Sequence, residues 1–163
     1  MKTLGSLAEL AYELERGTLG AIVSAHNAMH AAAKLVQKDA QGRIGQYQAA
    51  TGPFDAWAEL ADSTKKDRVN KGYTPDDPLL RDGTLRDSIE VEIAPLEAVI
   101  GSKEDIAAYQ EFGTATIPPR PFLGPAAFDN LEKIEKLIGK AVVQGLSTGQ
   151  VLSPLLGYDM STD

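Results

Sequence analysis

The sequence predicts an α+β fold. A small, mostly antiparallel sheet has N-terminal and C-terminal helices packed on it, with a long, partly ordered excursion between the first helices and a hairpin. Three observations predict this. Apolar residues recur every three or four positions at both ends of the chain, and they alternate with polar residues between positions 87 and 100. Between these regions, residues 41–78 carry Gly42, Gly45, Gly52-Pro53, Gly72, Pro75 and Pro78 and show little period.

From residue 3 to about residue 39 the pattern is helical. Leu4, Leu7, Ala11 and Leu14 form one stripe, and Ile22, His26, Met29, Ala33 and Val36 form a second. Gly17-Thr18 predicts a break between them, with Gly ending one helix and Thr capping the next. The other faces of the second helix are rich in alanine, which permits close packing against a neighbour.

A structureless run as long as 41–78 is uncommon in a compact domain, so a short helix is expected inside it. Ser63 or Thr64 caps it, it runs to Asn70, and Gly72 lies beyond its end. Trp57 and Phe54 are expected to pin the excursion to the body; the alternative is that they are exposed contact residues.

Ile89, Val91 and Ile93 alternate with Ser88, Glu90 and Glu92, the pattern of a half-buried strand. Ala94-Pro95 turns the chain. Leu96, Ala98 and Ile100 then alternate with Glu97 and Val99 as the second strand of a hairpin. Asp105 caps a short helix, 106–112, with Ile106, Tyr109 and Phe112 on its apolar face, and Gly113 ends it. Residues 114–123 hold three prolines and are expected to be extended, including an edge strand. Pro125 suits the first turn of a final helix. That helix places Phe128, Leu131, Ile134, Ile138, Ala141 and Val142 on one face, opposite Glu132, Lys133, Glu135 and Lys136. The organisation is one domain over 1–145 and a flexible C-terminal arm over 146–163.

Composition narrows function. With 163 residues, 43% hydrophobic and 24% charged, a single core needs no covalent staples. The absence of cysteine excludes disulfides, thiolate metal sites and cysteine nucleophiles. A formal net charge of −7 leaves no whole-protein basic footprint for nucleic acid. Lys65, Lys66, Arg68 and Lys71 form a local basic run, read as a solvated face. Glu9, Glu13 and Glu15 near the start do not fit a signal peptide, and no run approaches the ~20 apolar residues of a membrane span. The chain is therefore expected to stay in the cytoplasm until it joins something else.

A search for chemistry finds no catalytic set. His26 and His30 sit one helical turn apart, but two ligands are too few for a metal and the chain has no third histidine. His26 lies on the apolar stripe, where a hydrogen-bonded core histidine is the simpler reading. Asp76/Asp77 sit in a Pro-rich loop, Glu90/Glu92 lie on the solvated side of the predicted strand, and Ser88 lacks a nucleophile-elbow context. Glu111 is expected to form an ion pair with Arg86 or Arg120 at a subunit contact. No catalytic residue, metal or cofactor is assigned.

Three phrases remain. They are Gly83-Thr84-Leu85-Arg86-Asp87-Ser88-Ile89, then Ala108-Tyr109-Gln110-Glu111-Phe112-Gly113-Thr114, then Pro119-Arg120-Pro121-Phe122-Leu123-Gly124-Pro125-Ala126. In this order they resemble the head–tail joining and tail-completion proteins of long-tailed bacteriophages, in particular the Mu-like virion-morphogenesis group. Tyr109 is shifted from the Tyr-Ala order usual there, and the likeness covers about residues 55–140.

The resemblance implies a structural virion protein at the neck or the head-proximal tail end. It would act as a tail terminator or head–tail joining component, in a ring that is often hexameric. The implied partners are further copies of the chain, the tail tube protein and head–tail connector proteins, with no membrane and no specific nucleic-acid binding although DNA passes through the ring. The implied interface or structural positions are Gly83, Leu85, Arg86, Tyr109, Glu111, Phe112, Gly113, Arg120, Pro121, Phe122 and Leu123. The alternatives are a DNA-associated assembly factor and a metalloenzyme dependent on His26 and His30.

Overall fold

A computed structural model of the chain describes residues 6–148. The elements are α1 (Leu7–Arg43), α2 (Asp62–Asn70), α3 (Thr84–Asp87), β1 (Ile89–Ala94), β2 (Glu97–Ser102), α4 (Asp105–Phe112) and α5 (Leu123–Thr148). The fold is α+β: helices with a two-stranded antiparallel hairpin, β1-β2. The chain forms two compact units. The first holds α1 up to Ala32, the hairpin tip Ile93–Ala98 and α5 from Glu132. The second holds Ala33–Glu92 and Val99–Leu131.

In the first unit, α1 runs through Gly17-Thr18 without the predicted break. The glycine serves packing instead. A Cβ on Gly17 would lie 3.0 Å from the Leu146 carbonyl oxygen, and one on Gly145 would lie 2.6 Å from that of Gly20. Glycine in a helix interior costs about 1 kcal/mol relative to alanine, which the close approach of α1 and α5 offsets. Thr18 is not a cap; its hydroxyl donates back to Leu14 O at 2.9 Å, as a mid-helix threonine does.

The predicted face of this part of α1 is inverted. Gly17, Gly20, Ala21, Ser24 and Ala28 are buried, whereas Leu7, Leu14 and Ile22 of the predicted stripe are exposed. Small residues face the neighbouring helix because only they allow the two backbones to come so close. Leu4 lies outside the described residues.

In the second unit, Ala33, Val36 and Ala40 of α1 and Ile44 just beyond it are buried, so the stripe read from the sequence does face inward in this unit at Ala33 and Val36. Gln37 Nε2 donates to Ile89 O at 2.5 Å and ties α1 to the start of β1. Ile89 is buried, Val91 is half-buried and Glu90 and Glu92 are exposed, the expected alternation.

The excursion contains the expected short helix, α2, with Gly72 beyond its end at φ +80°. Its cap differs from expectation: Ala61 occupies the N-cap without a side-chain bond, and neither Ser63 nor Thr64 caps it. Asp62 supplies negative charge in the first turn instead. Trp57 is buried and its indole N–H donates to Pro121 O at 3.0 Å, so it anchors the excursion. Phe54 meets Phe128 edge-on, with ring centroids 6.4 Å apart.

Gly113 ends α4 at φ +74° as expected, but Ile106, Tyr109 and Phe112 are exposed and the buried residue is Ala107. The segment after Gly113 forms no strand among the described residues. Pro118, Pro119 and Pro121 have no N–H to give a ladder, and the bonds this segment makes run within itself, to α4 and to the excursion at 57–59. Pro125 sits in the first turn of α5, as expected. Of its predicted face Ala141 is buried and Ile134, Ile138 and Val142 are half-buried, but Phe128 and Leu131 are exposed, and Ala126 and Asn130 are buried instead. The helix continues to Thr148; the rest of the predicted C-terminal arm, 149–163, lies outside the described residues.

Candidate functional site

The first phrase builds α3, a single turn just before the hairpin. Gly83 is its N-cap at φ +91°, a left-handed conformation that glycine tolerates without strain. Asp82 Oδ1 accepts the Thr84 N–H at 3.0 Å. Leu85 is buried, and the Arg86 carbonyl accepts from Gln41 Nε2 at 3.2 Å. The Arg86 side chain points away from this core and pairs with Asp87 at 2.9 Å.

The second and third phrases lock to each other. Thr114 N–H donates to Ile117 O at 2.9 Å and Arg120 N–H to Gln110 O at 2.6 Å. Gly113 fits because a Cβ would lie 3.0 Å from Ile117 O and from Pro119. The Glu111 carboxylate accepts three backbone N–H bonds at the start of α5: from Phe122 at 2.8 Å, Leu123 at 3.0 Å and Gly124 at 2.8 Å. A helix N-terminus leaves such donors unpaired and carries partial positive charge, so a carboxylate from outside the helix satisfies both needs. The expected pairing of Glu111 with Arg86 or Arg120 therefore does not occur within the chain; its oxygens are committed to α5.

Phe122 is fully buried beside this cap, and Pro121 supplies the carbonyl that holds Trp57. Gly124 admits Phe54, whose ring would meet an added Cβ at 2.7 Å. Leu123 is half-buried, whereas Tyr109 and Phe112 face out.

Arg120 is buried, and among the described residues its guanidinium donates to backbone carbonyls alone: Ala58 at 2.9 and 3.1 Å and Glu59 at 3.2 Å. Burial lowers its pKa from the ordinary arginine value, with Tyr47 acting weakly the other way. A second polar anchor was not legible in the sequence. Arg43 bonds Asp129 at 2.6 Å and Asp39 at 3.2 Å, and buried Asn130 bonds Asp39 at 2.7 Å. Burial pulls the Arg43 pKa down, but the bonds to Asp129 and Asp39 outweigh it and leave it raised.

The basic run on α2 is not one solvated face. Lys65 pairs with Asp76 at 3.1 Å and Lys71 with Asp67 at 2.8 Å. Arg68 is buried and donates to Thr74 O at 2.7 Å and Leu80 O at 2.5 Å. The sequence signal for it was weak: one arginine among lysines, just before a Gly-Pro loop that offers carbonyls.

His26 is half-buried and its Nδ1 lies 3.3 Å from Pro95 O; His30 is exposed. Among the described residues no group of three or more His, Cys, Asp or Glu is placed to hold a metal, and no helix is long and apolar enough to cross a membrane.

Residues 13–143 match the phage virion morphogenesis family. The chain belongs to that family. It is also 28% identical over 109 residues to Mu-like prophage FluMu G protein 1 of Haemophilus influenzae, covering 66% of this chain and 73% of that protein. No solved structure matches it. Membership in a virion morphogenesis family gives the chain a structural, assembly role in a phage. All three phrases fall inside the family match, and in the structure most of their bonds are spent on positioning α3, α4 and α5.

Proposed function

We propose that this chain is a structural virion protein of the neck or head-proximal tail end, working as a tail-completion (tail terminator) or head–tail joining component. It assembles as a ring of identical copies, contacting the tail tube protein on one side and head–tail connector proteins on the other, while DNA passes without specific binding.

One observation carries this reading beyond family membership. In the first unit α1 exposes Leu7 (85%), Tyr12 (62%), Leu14 (62%) and Leu19 (59%), and α5 exposes Val143 (65%) and Leu146 (55%). Large exposed apolar surfaces of this kind mark association sites. Each residue buried returns on the order of 1.5–3 kcal/mol of hydrophobic stabilisation. Copies that each carry a net charge of −7 repel at long range, so apolar contact must supply the attraction. A closed ring needs a heterologous contact, two different surfaces meeting at every joint. A face of large side chains on one part of the chain is one half of such a contact.

Deletion of the gene from a producing phage tests the role. The expected result is filled heads and tails that accumulate unjoined, or tails of uncontrolled length, in electron micrographs, with normal particles restored by supplying the protein. Normal infectious particles lacking the protein would rule the role out. The same purified protein should show no salt-steep affinity for DNA; tight binding that collapses with salt would favour a DNA-associated assembly factor instead.

A further inference from the structure

One seam of α1 changes character along its length in the first unit. Leu7, Leu10, Leu14, Gly17, Ala21, Ser24 and Ala28 follow one another at alternating steps of three and four, so they share one side of the helix. Gly17, Ala21, Ser24 and Ala28 are buried. The backbone of α5 lies close against this part: a Cβ on Gly145 would stand 2.7 Å from Ala21 Cα. Leu7, Leu10 and Leu14 are 85%, 38% and 62% exposed. The switch from small to large residues falls where α5 ends. Thr148 is the last residue of α5, and Arg16 Nη2 donates to its carbonyl at 3.3 Å. Beyond that level the seam continues for about two turns with no helix of the described residues over it.

An occupant of this stripe must be apolar and must bring no negative charge. Glu13 stands beside the stripe, one position before Leu14, and is already paired with Arg16 at 3.3 Å. Glu9 and Glu15 add to the acidity of the same turns. Residues 149–158, which follow α5 directly, meet both demands. They hold no charged side chain, and Val151, Leu152, Leu155, Leu156 and Tyr158 give them apolar surface. Fully extended they reach about 33 Å. The stripe from Leu7 to Leu14 occupies only about 10 Å of helix. The surplus is enough to leave one copy and lie on the next. Gly149 and Pro154 are helix-stopping residues, so the sequence does not prolong α5 along the seam of its own copy.

We infer that the C-terminal segment 151–158 of one copy lies on the Leu7-Leu10-Leu14 stripe of a second copy. Its leucines take the place along the seam that α5 takes from Gly17 onward. The two surfaces differ, so the contact is heterologous and repeats from copy to copy. This rests on the ring reading above and supplies the second half of its joint.

The chain has no cysteine, so introduced ones report proximity without background. Two full-length variants, Leu7→Cys and Leu155→Cys, are mixed where the wild type associates, oxidised mildly, denatured and sized by mass spectrometry. A cross-linked pair holding one chain of each kind is expected. Tyr12→Cys mixed with Leu155→Cys should give far less of it, because Tyr12 is exposed on the opposite side of α1 from the seam. A full-length Leu152→Ser/Leu155→Ser/Leu156→Ser variant should keep its circular dichroism. It should associate at least about tenfold more weakly, the scale of losing that much buried apolar surface. Equal yields from the Tyr12→Cys mixture overturn the assignment. So does a cross-link that forms only within single Leu7→Cys/Leu155→Cys chains, which places the segment on its own copy. A serine variant that associates as tightly as the wild type sinks this joint and leaves the ring standing; a wild type that never associates sinks the ring, and this joint with it.

Discussion

In the first unit the residues buried where α1 meets α5 are Gly17, Gly20, Ala21 and Gly145, while Leu14, Leu19, Val143 and Leu146 face water. In the second unit large side chains such as Phe122, Ile89 and Trp57 are buried, beside the Glu111 cap and arginines held on carbonyls. The difference separates two tasks. The second unit buries Phe122, Ile89 and Trp57 and ties Trp57, Arg68 and Arg120 to its own carbonyls, while Tyr109, Phe112 and Phe128 stay exposed. The first brings helix backbones together and leaves its large side chains for a neighbour.

Truncation in the second unit should break this contrast most. Phe122→Ala removes a fully buried ring and is expected to cost about 4 kcal/mol, read by urea denaturation of the monomer. Glu111→Ala leaves three N–H groups at the start of α5 without an acceptor and should cost about 2 kcal/mol. Glu111→Gln keeps one acceptor oxygen and should lose less. If Glu111→Ala were neutral, the cap would not be what joins the two phrases.

In the first unit, Gly145→Val should cost roughly 1–3 kcal/mol, because its Cβ meets backbone atoms 2.6–2.7 Å away that have no rotamer to change. A neutral outcome would mean that α1 and α5 do not approach so closely in solution.

Acid should act on the second unit at Asp129. The bond from Arg43 holds its carboxyl below the usual aspartate value, against a smaller opposing effect of burial. A lowered folded pKa contributes stability above the unfolded value of about 3.9, lost as pH falls through the folded value. Because the Asp129 side chain is more than a third exposed, the loss should stay under about 1 kcal/mol. Asp129→Asn should flatten that part of the stability curve below about pH 4.

The smallest effect on folding should come from Leu14→Ser, within about 0.5 kcal/mol in the monomer because the side chain is already exposed. Its effect should appear in association instead, as a clear weakening in sedimentation equilibrium.

The same contrast explains what the sequence disclosed. The hairpin, α2, α4 and the Gly113 stop were legible because alternation, turn residues and a left-handed glycine are local signals. Trp57 was legible as an anchor, being a lone indole in a loop. The buried face of α1 near Gly17 was not, because amphipathic reasoning assigns large residues to the interior and this unit reverses that. A glycine that admits a neighbouring helix also looks the same in sequence as one that ends a helix. Glu111 was singled out, but its partners are N–H groups 11 to 13 positions away, which residue type cannot reveal. Arg68 was missed because it sits among solvated lysines while its carbonyl partners lie in the loop just after α2, and Asn130 because its partner Asp39 is 91 positions away.

The most direct test of the account is a sedimentation velocity series on the purified chain beside a Leu14→Glu/Leu19→Glu variant. The account predicts that the wild type shifts with concentration to a closed oligomer, while the variant stays monomeric with unchanged circular dichroism. A wild type that remains monomeric at every concentration, or a variant that assembles as well as the wild type, would contradict it.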